Sequence, residues 1–155
     1  MNGFAPAKAI ASICIALMIP TFASAENNNM RETDGGSQMI RIEFIIGDTV
    51  LPAMLDDTPA ARDFARLLPL DLTLSDYHGT EMVADLGRKL DTTGAPASYK
   101  PKTGDITQYS PWSNLAIFTK PFADSRGLIR LGAFDGPIDA LNGSDNVEVR
   151  IERAD

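Results

Sequence analysis

Tyr109, Ser110, Pro111, Trp112, Ser113 and Asn114 stand in consecutive positions. Two aromatic rings, a proline that bends the chain and a carboxamide that both donates and accepts hydrogen bonds suit a groove for a small molecule or an extended peptide. The same residues have a plainer use, in which Tyr109 and Trp112 pack the end of a sheet with their polar tips satisfied. Glu81 is the most suggestive carboxylate. It follows the Tyr77-His78-Gly79 turn, on a strand expected to line the same face. Buried beside aromatic rings, its pKa would rise and it could act as acid or base. An outward-facing strand glutamate, or one that holds a turn, is the plainer reading. Glu81, Tyr109, Trp112 and Asn114 are the candidate ligand-binding residues, and no catalytic residue is assigned.

Other chemistry finds little footing. His78 is the sole histidine, and Ser75, Asp76 and His78 are too close in sequence for a relay, since neighbours rarely take triad geometry. No G-x-S-x-G elbow and no glycine-rich phosphate loop occurs. One histidine and the single Cys14 make no ordinary zinc site. Asp56, Asp57, Asp135, Asp139 and Asp145 lack the spacing of a calcium loop. The expectation is no metal and no cofactor. Arg62 and Arg66 lie four apart, with Asp63 between them, and read as a solvated helix face or a weak anion site.

These residues need a compartment and a scaffold. Lys8, the apolar run Ala9 to Pro20 and the Ala23-Ser24-Ala25 site read as a secretory signal over 1–25. Cleavage would leave 130 of the 155 residues, starting at Glu26, in a secreted or periplasmic location. Cys14 would leave with the signal, and bulky Ile13 disfavours lipid attachment there. The run is shorter than the ~20 residues that span a bilayer, so no membrane association is expected after cleavage. Losing Lys8 leaves 13 Lys+Arg against 21 Asp+Glu, a net charge of −8. Such a chain repels nucleic acid, and a small molecule or peptide is the expected partner. Oligomeric state is left open.

Polar residues 26–38 read as a flexible leader, and the domain is expected over 39–155. Ile40, Ile42, Phe44 and Ile46 alternate with Arg41, Glu43 and Ile45 as a half-buried strand. Gly47-Asp48 suits a type II′ turn into a partner strand, Thr49 to Leu55, whose Pro52 demands an edge or bulge. Thr58-Pro59 caps and starts a helix with Ala61, Phe64, Ala65 and Leu68 on one face and Arg62, Asp63 and Arg66 toward solvent. Leu70 to Leu74, Thr80 to Leu86, Asp105 to Tyr109, Leu115 to Phe118, Gly127 to Phe134 and Val147 to Glu152 read as further strands. Arg88 to Gly104 is loop chemistry, and a loop this long is usually functional or mobile. About eight short strands and one main helix predict a mainly β fold, a sandwich or barrel, with the helix covering one end.

The runs Leu74 to Glu81, Arg88 to Asp91, Gly104 to Phe118 and Arg126 to Gly132 resemble a small bacterial and archaeal cyclophilin-like family. The likeness spans roughly Met39 to Glu152, and its G-D-I-T-x-Y-x-P-W-x-N run is the specific part. It implies a closed eight-stranded cyclophilin-like β-barrel capped by helices. Prolyl-isomerising cyclophilins place an arginine beside an apolar proline pocket, from a Phe-His-Arg strand followed by a Phe-Met-x-Gln strand. The strands that look equivalent here, Leu70 to Leu74 and Thr80 to Val83, offer neither that arginine nor that Phe and Gln. Binding in an aromatic groove is the first expectation and weak prolyl isomerisation the second. Arg62, Arg88 or Arg126 reaching the groove would favour the second.

Overall fold

Alternating side chains build the first hairpin of the computed structural model, which describes residues 39–154. The signal over 1–25 and the expected leader over 26–38 lie outside those residues. Strand β1 (Ile40–Ile46) buries Ile42 and Phe44, and β2 (Thr49–Leu55) buries Leu51, Ala53 and Leu55. The turn between them puts Gly47 at φ +56°, as the first central position of a II′ turn requires. Pro52 faces Glu43 of β1, and its carbonyl accepts from the Asp135 N–H just past the last β2 pair on the far side. A strand residue points N and C=O the same way, so the missing proline N–H falls where the ladder has ended.

Helix α1 (Pro59–Ala65) starts as the residues predict: the Thr58 side chain accepts from Ala61 N at 3.2 Å, and Ala60, Ala61, Phe64 and Ala65 are buried. Asp63 departs from the expected solvent side and is buried. Strands β3 (Leu70–Tyr77), β4 (Glu81–Asp85), β6 (Asp105–Tyr109), β7 (Asn114–Phe118), β9 (Leu128–Phe134) and β10 (Asn146–Arg153) complete the sheet, and Asp139–Leu141 is a short 3₁₀ turn. The order β1-β10-β3-β4-β7-β6-β9-β2 closes on itself as an eight-stranded barrel, so the sheet has no free edge. All its neighbours are antiparallel.

The long loop is only partly irregular. Within it β5 (Ser98–Tyr99) pairs with β8 (Ser125–Arg126) as a separate two-stranded sheet outside the barrel. Its first residues are pinned. Buried Gln108 accepts from Leu90 N at 2.9 Å and donates to the Arg88 carbonyl at 3.1 Å. Asp63 accepts two hydrogen bonds from the Arg88 guanidinium, at 2.8 and 2.9 Å, and a third from Asp91 N at 2.9 Å. The Arg88 hydrogen bonds, with the Asp91 N–H and the charges of Arg88 and Arg66, outweigh burial and hold the Asp63 carboxyl down to about 2. Opposite β6, strand β9 carries one extra residue: Ile106 faces Gly132 while Thr107 faces Arg130.

Candidate functional site

In a sheet, residues paired across strands project to the same side. The pairings Tyr77↔Glu81 and Glu81↔Phe118 make one row on the outer wall of the barrel. Val83, Ala116 and Thr107 make the next, and Asp85, Asn114, Tyr109 and Leu128 a third. Their strand neighbours Met82, Ala84, Leu115 and Ile117 belong to the main core, whereas Ala116, Phe118 and Leu128 form a second buried cluster with Val83, Tyr99 and Tyr109 packed on it. The wall is thus apolar on both faces, which is why Leu115 to Phe118 reads as a continuous apolar run.

A groove of about 560 Å³ lies on this outer cluster. Glu81, Tyr109, Trp112 and Asn114 all line it, together with Tyr77, Val83, Phe118, Phe122, Ser125, Arg126 and Leu128. The Ser110–Ser113 turn lifts Trp112 over the groove: Trp112 N donates to Tyr109 O at 3.2 Å, and Ser113 takes φ +60° to bring the chain back into β7. Trp112 stands edge-on to Tyr109, with ring centres 5.3 Å apart, and to Tyr77 at 6.2 Å. It is not a core ring. Trp112 is 61 % exposed, Phe122 51 % and Tyr77 37 %, and these are three of the five large exposed apolar residues among those described. Gly127, at φ +78°, lets Pro111 close against the far wall, since a Cβ there would meet Pro111 Cδ at 2.9 Å.

The ionisable groups of the groove are uncommitted among the described residues, while Ser125 donates to the Ala123 carbonyl at 3.0 Å. Glu81 is half-buried, and among the described residues its side chain has neither a hydrogen bond nor an ion pair; Arg126 is likewise free. Burial raises the Glu81 carboxyl above its ordinary value of 4.5, partly offset by the His78 charge. Asn114 Oδ1 is buried without a partner among the described residues. Phe122 escaped sequence reasoning as a lining residue, because it comes from the stretch between β7 and β9, which has no periodicity to read; Arg126, from the same stretch, was one of three arginines considered for the groove.

A second cavity, of about 580 Å³, opens beside the start of α1 between Asp56–Ala60, Thr93–Pro96 and Tyr99. Its charged groups satisfy one another. Arg130 bonds Asp56 and lies 3.5 Å from Asp105, Asp57 bonds Arg62, and the Tyr99 hydroxyl donates to Asp105 at 2.7 Å. Burial, then the bond to Asp105, pushes the Tyr99 phenol up to about 12. The imagined Ser75, Asp76 and His78 relay does not form: Ser75 donates to Asn146, Asp76 accepts from Gly79 N, and exposed His78 is a turn residue at φ +56°. Among the described residues, no three His, Cys, Asp or Glu side chains converge as a metal site, and no helix is long and apolar enough to cross a membrane.

The cyclophilin-like family model matches residues 44–152, most of the barrel. The chain belongs to the cyclophilin-like family. A hypothetical protein from Archaeoglobus fulgidus, solved in solution, is similar to this cyclophilin-like chain, with a TM-score of 0.55 and 15 % identity over 78 % of this chain and 99 % of that one. That likeness concerns the fold. No curated protein matches the chain. Of the arginines whose placement bears on isomerase chemistry, Arg62 is held by Asp57 and Arg88 by Asp63, and Arg126 alone of the three lines the groove.

Proposed function

We propose that this cyclophilin-like barrel works outside the cytoplasm, after removal of residues 1–25, and binds a small ligand or an extended peptide in the outer groove. The observation that carries the reading is convergence: Glu81, Tyr109, Trp112 and Asn114 share one cavity whose ionisable lining groups have no partner among the described residues. A protein that leaves three large aromatic side chains exposed around one concavity, with a floor already packed, is built to have them covered. Trp112 is the only tryptophan, so its fluorescence reports on the groove directly. Titration with the capped tetrapeptide acetyl-Ala-Ala-Pro-Phe-amide is expected to shift that emission saturably. Trp112→Ala, followed by calorimetry, is expected to weaken binding about tenfold or more, as loss of an aromatic anchor does. Unchanged affinity in that variant sinks the assignment. Export is tested by mass spectrometry of the secreted protein, which should begin at Glu26.

A second reading, weak prolyl isomerisation, is favoured by the free Arg126 guanidinium in the same groove. The barrier to X–Pro rotation comes from partial double-bond character in the C–N bond, and a cationic donor near the imide nitrogen lowers it by drawing off the delocalised pair. Arg126 comes from β8 rather than from the strand that supplies the arginine of prolyl-isomerising cyclophilins. Uncatalysed exchange takes tens of seconds, so micromolar protein should visibly shorten it. A rate enhancement lost in Arg126→Ala supports this reading, and an unaltered exchange rate removes it.

A further inference from the structure

The identity of the groove's polar groups narrows what it can hold. Glu81 pairs directly with Tyr77 on one side and Phe118 on the other, so its carboxylate rises between two rings. Tyr109, Trp112 and Phe122 line the same space. An ionised carboxylate is acceptor-only, and the negative face of an aromatic ring attracts cations. The one fully buried side-chain polar atom without a partner among the described residues, Asn114 Oδ1, is also an acceptor. Leaving a half-buried carboxylate without a partner costs free energy that a cationic partner would recover. The formal net charge of −7 adds a long-range pull of the same sign.

Arg126 is the one cation in the lining, and it forms no ion pair with Glu81, with no N···O contact within 4.0 Å. Glu81 is on β4, Arg126 immediately precedes Gly127 and β9, and β7 and β6 intervene. That is about three strand spacings, or ~14 Å between backbones. The two charges therefore do not form a neutralised pair, although both border the groove.

We propose that the groove selects an organic cation, an ammonium or guanidinium group carried on an apolar or peptide body, with Glu81 meeting the charge and the aromatic rings enclosing it. The proposal rests on the groove reading above and adds the sign of the ligand. The body of such a ligand runs over Tyr109 and Leu128 toward Arg126, which suits a carbonyl or carboxylate at its far end.

Three probes of similar size separate the possibilities on the full chain: benzyltrimethylammonium, neutral benzyl alcohol and anionic phenylacetate, each titrated against Trp112 fluorescence. Benzyltrimethylammonium is expected to bind at least about tenfold more tightly than phenylacetate. Glu81→Gln should cost the cation about tenfold while leaving benzyl alcohol within twofold. Equal binding of the three probes, or a cation affinity indifferent to Glu81→Gln, overturns the cation assignment and leaves the groove standing. If no probe perturbs Trp112, the groove and its selectivity fail together. The comparison among probes on the unaltered chain holds whether or not the variant folds.

Discussion

Glu81 and Asp63 are both carboxylates removed from bulk water, and they respond to pH in opposite ways. Native Asp63 gives up its proton at about 2 rather than 3.8, because Arg88 and the Asp91 N–H bond its charged form. Between those values the unfolded chain binds more protons, so stability falls as pH drops through the interval from 3.8 toward 2. Urea midpoints measured across this window should decline in the parent, and less in Asp63→Asn, which is already weaker at neutral pH. Glu81 keeps its proton longer when folded than its ordinary value of 4.5 allows. Above that value the native state binds the extra proton, so stability falls as pH rises to the native pKa. The charges around it are His78 on the β3–β4 turn and Lys120 just beyond β7, with Asp85 two rows along its own strand and Arg126 as the cation of the lining. Glu81→Gln escapes the fall, and thermal melts at pH 7 should find it slightly more stable than the parent, a small effect because solvent screens a half-open site. A stabilising substitution that damages binding would mark Glu81 as a residue kept for its ligand.

At the scale of elements, closure of the barrel depends on close backbone approach at one position. A Cβ on Gly132 would lie 2.1 Å from Met54 O and 2.8 Å from Leu55 Cα, and neither backbone can yield without parting β9 from β2. Gly132→Ala should cost about 3 kcal/mol or more, read from the urea midpoint. The elements themselves were legible wherever one face meets the core. Period-two alternation exposes β1 and β10, Gly47-Asp48 exposes the hairpin partner of β1, and Thr58-Pro59 marks the helix start. Legibility ended where a residue's partner is remote. Asp63 sits among arginines on a helix and reads as solvated, yet its partner Arg88 arrives from a loop 25 positions on. The groove was half visible for the same reason: Tyr109, Trp112 and Asn114 share one turn, whereas Phe122 and Arg126 enter from a segment without period. Glu81 was legible as a candidate only through the turn before it.

At the scale of the whole molecule, the two sides of the barrel do different work. One side carries the groove, centred on β7 and β6. The other carries the seam between the first and last strands, where Ile42 faces Arg153 and Ala154 N donates to Arg41 O at 3.2 Å. In the closed order β7 is four strands from β1 in either direction, so groove and seam lie on opposite sides. A circular permutant that links residue 154 to residue 39 and opens the exposed Asn142-Gly143-Ser144 loop should fold, melt within a few degrees of the parent and keep its response to the groove probes. Failure to fold would mean that the order in which strands leave the ribosome matters more than their final pairing.

That arrangement has a practical side. A barrel immobilised by a handle at residue 154 would turn its aromatic mouth toward the solution, with no linker crossing the opening. On a sensor chip or a bead, every copy would present the same face to what flows past, and the single indole at the rim would serve as a built-in optical signal.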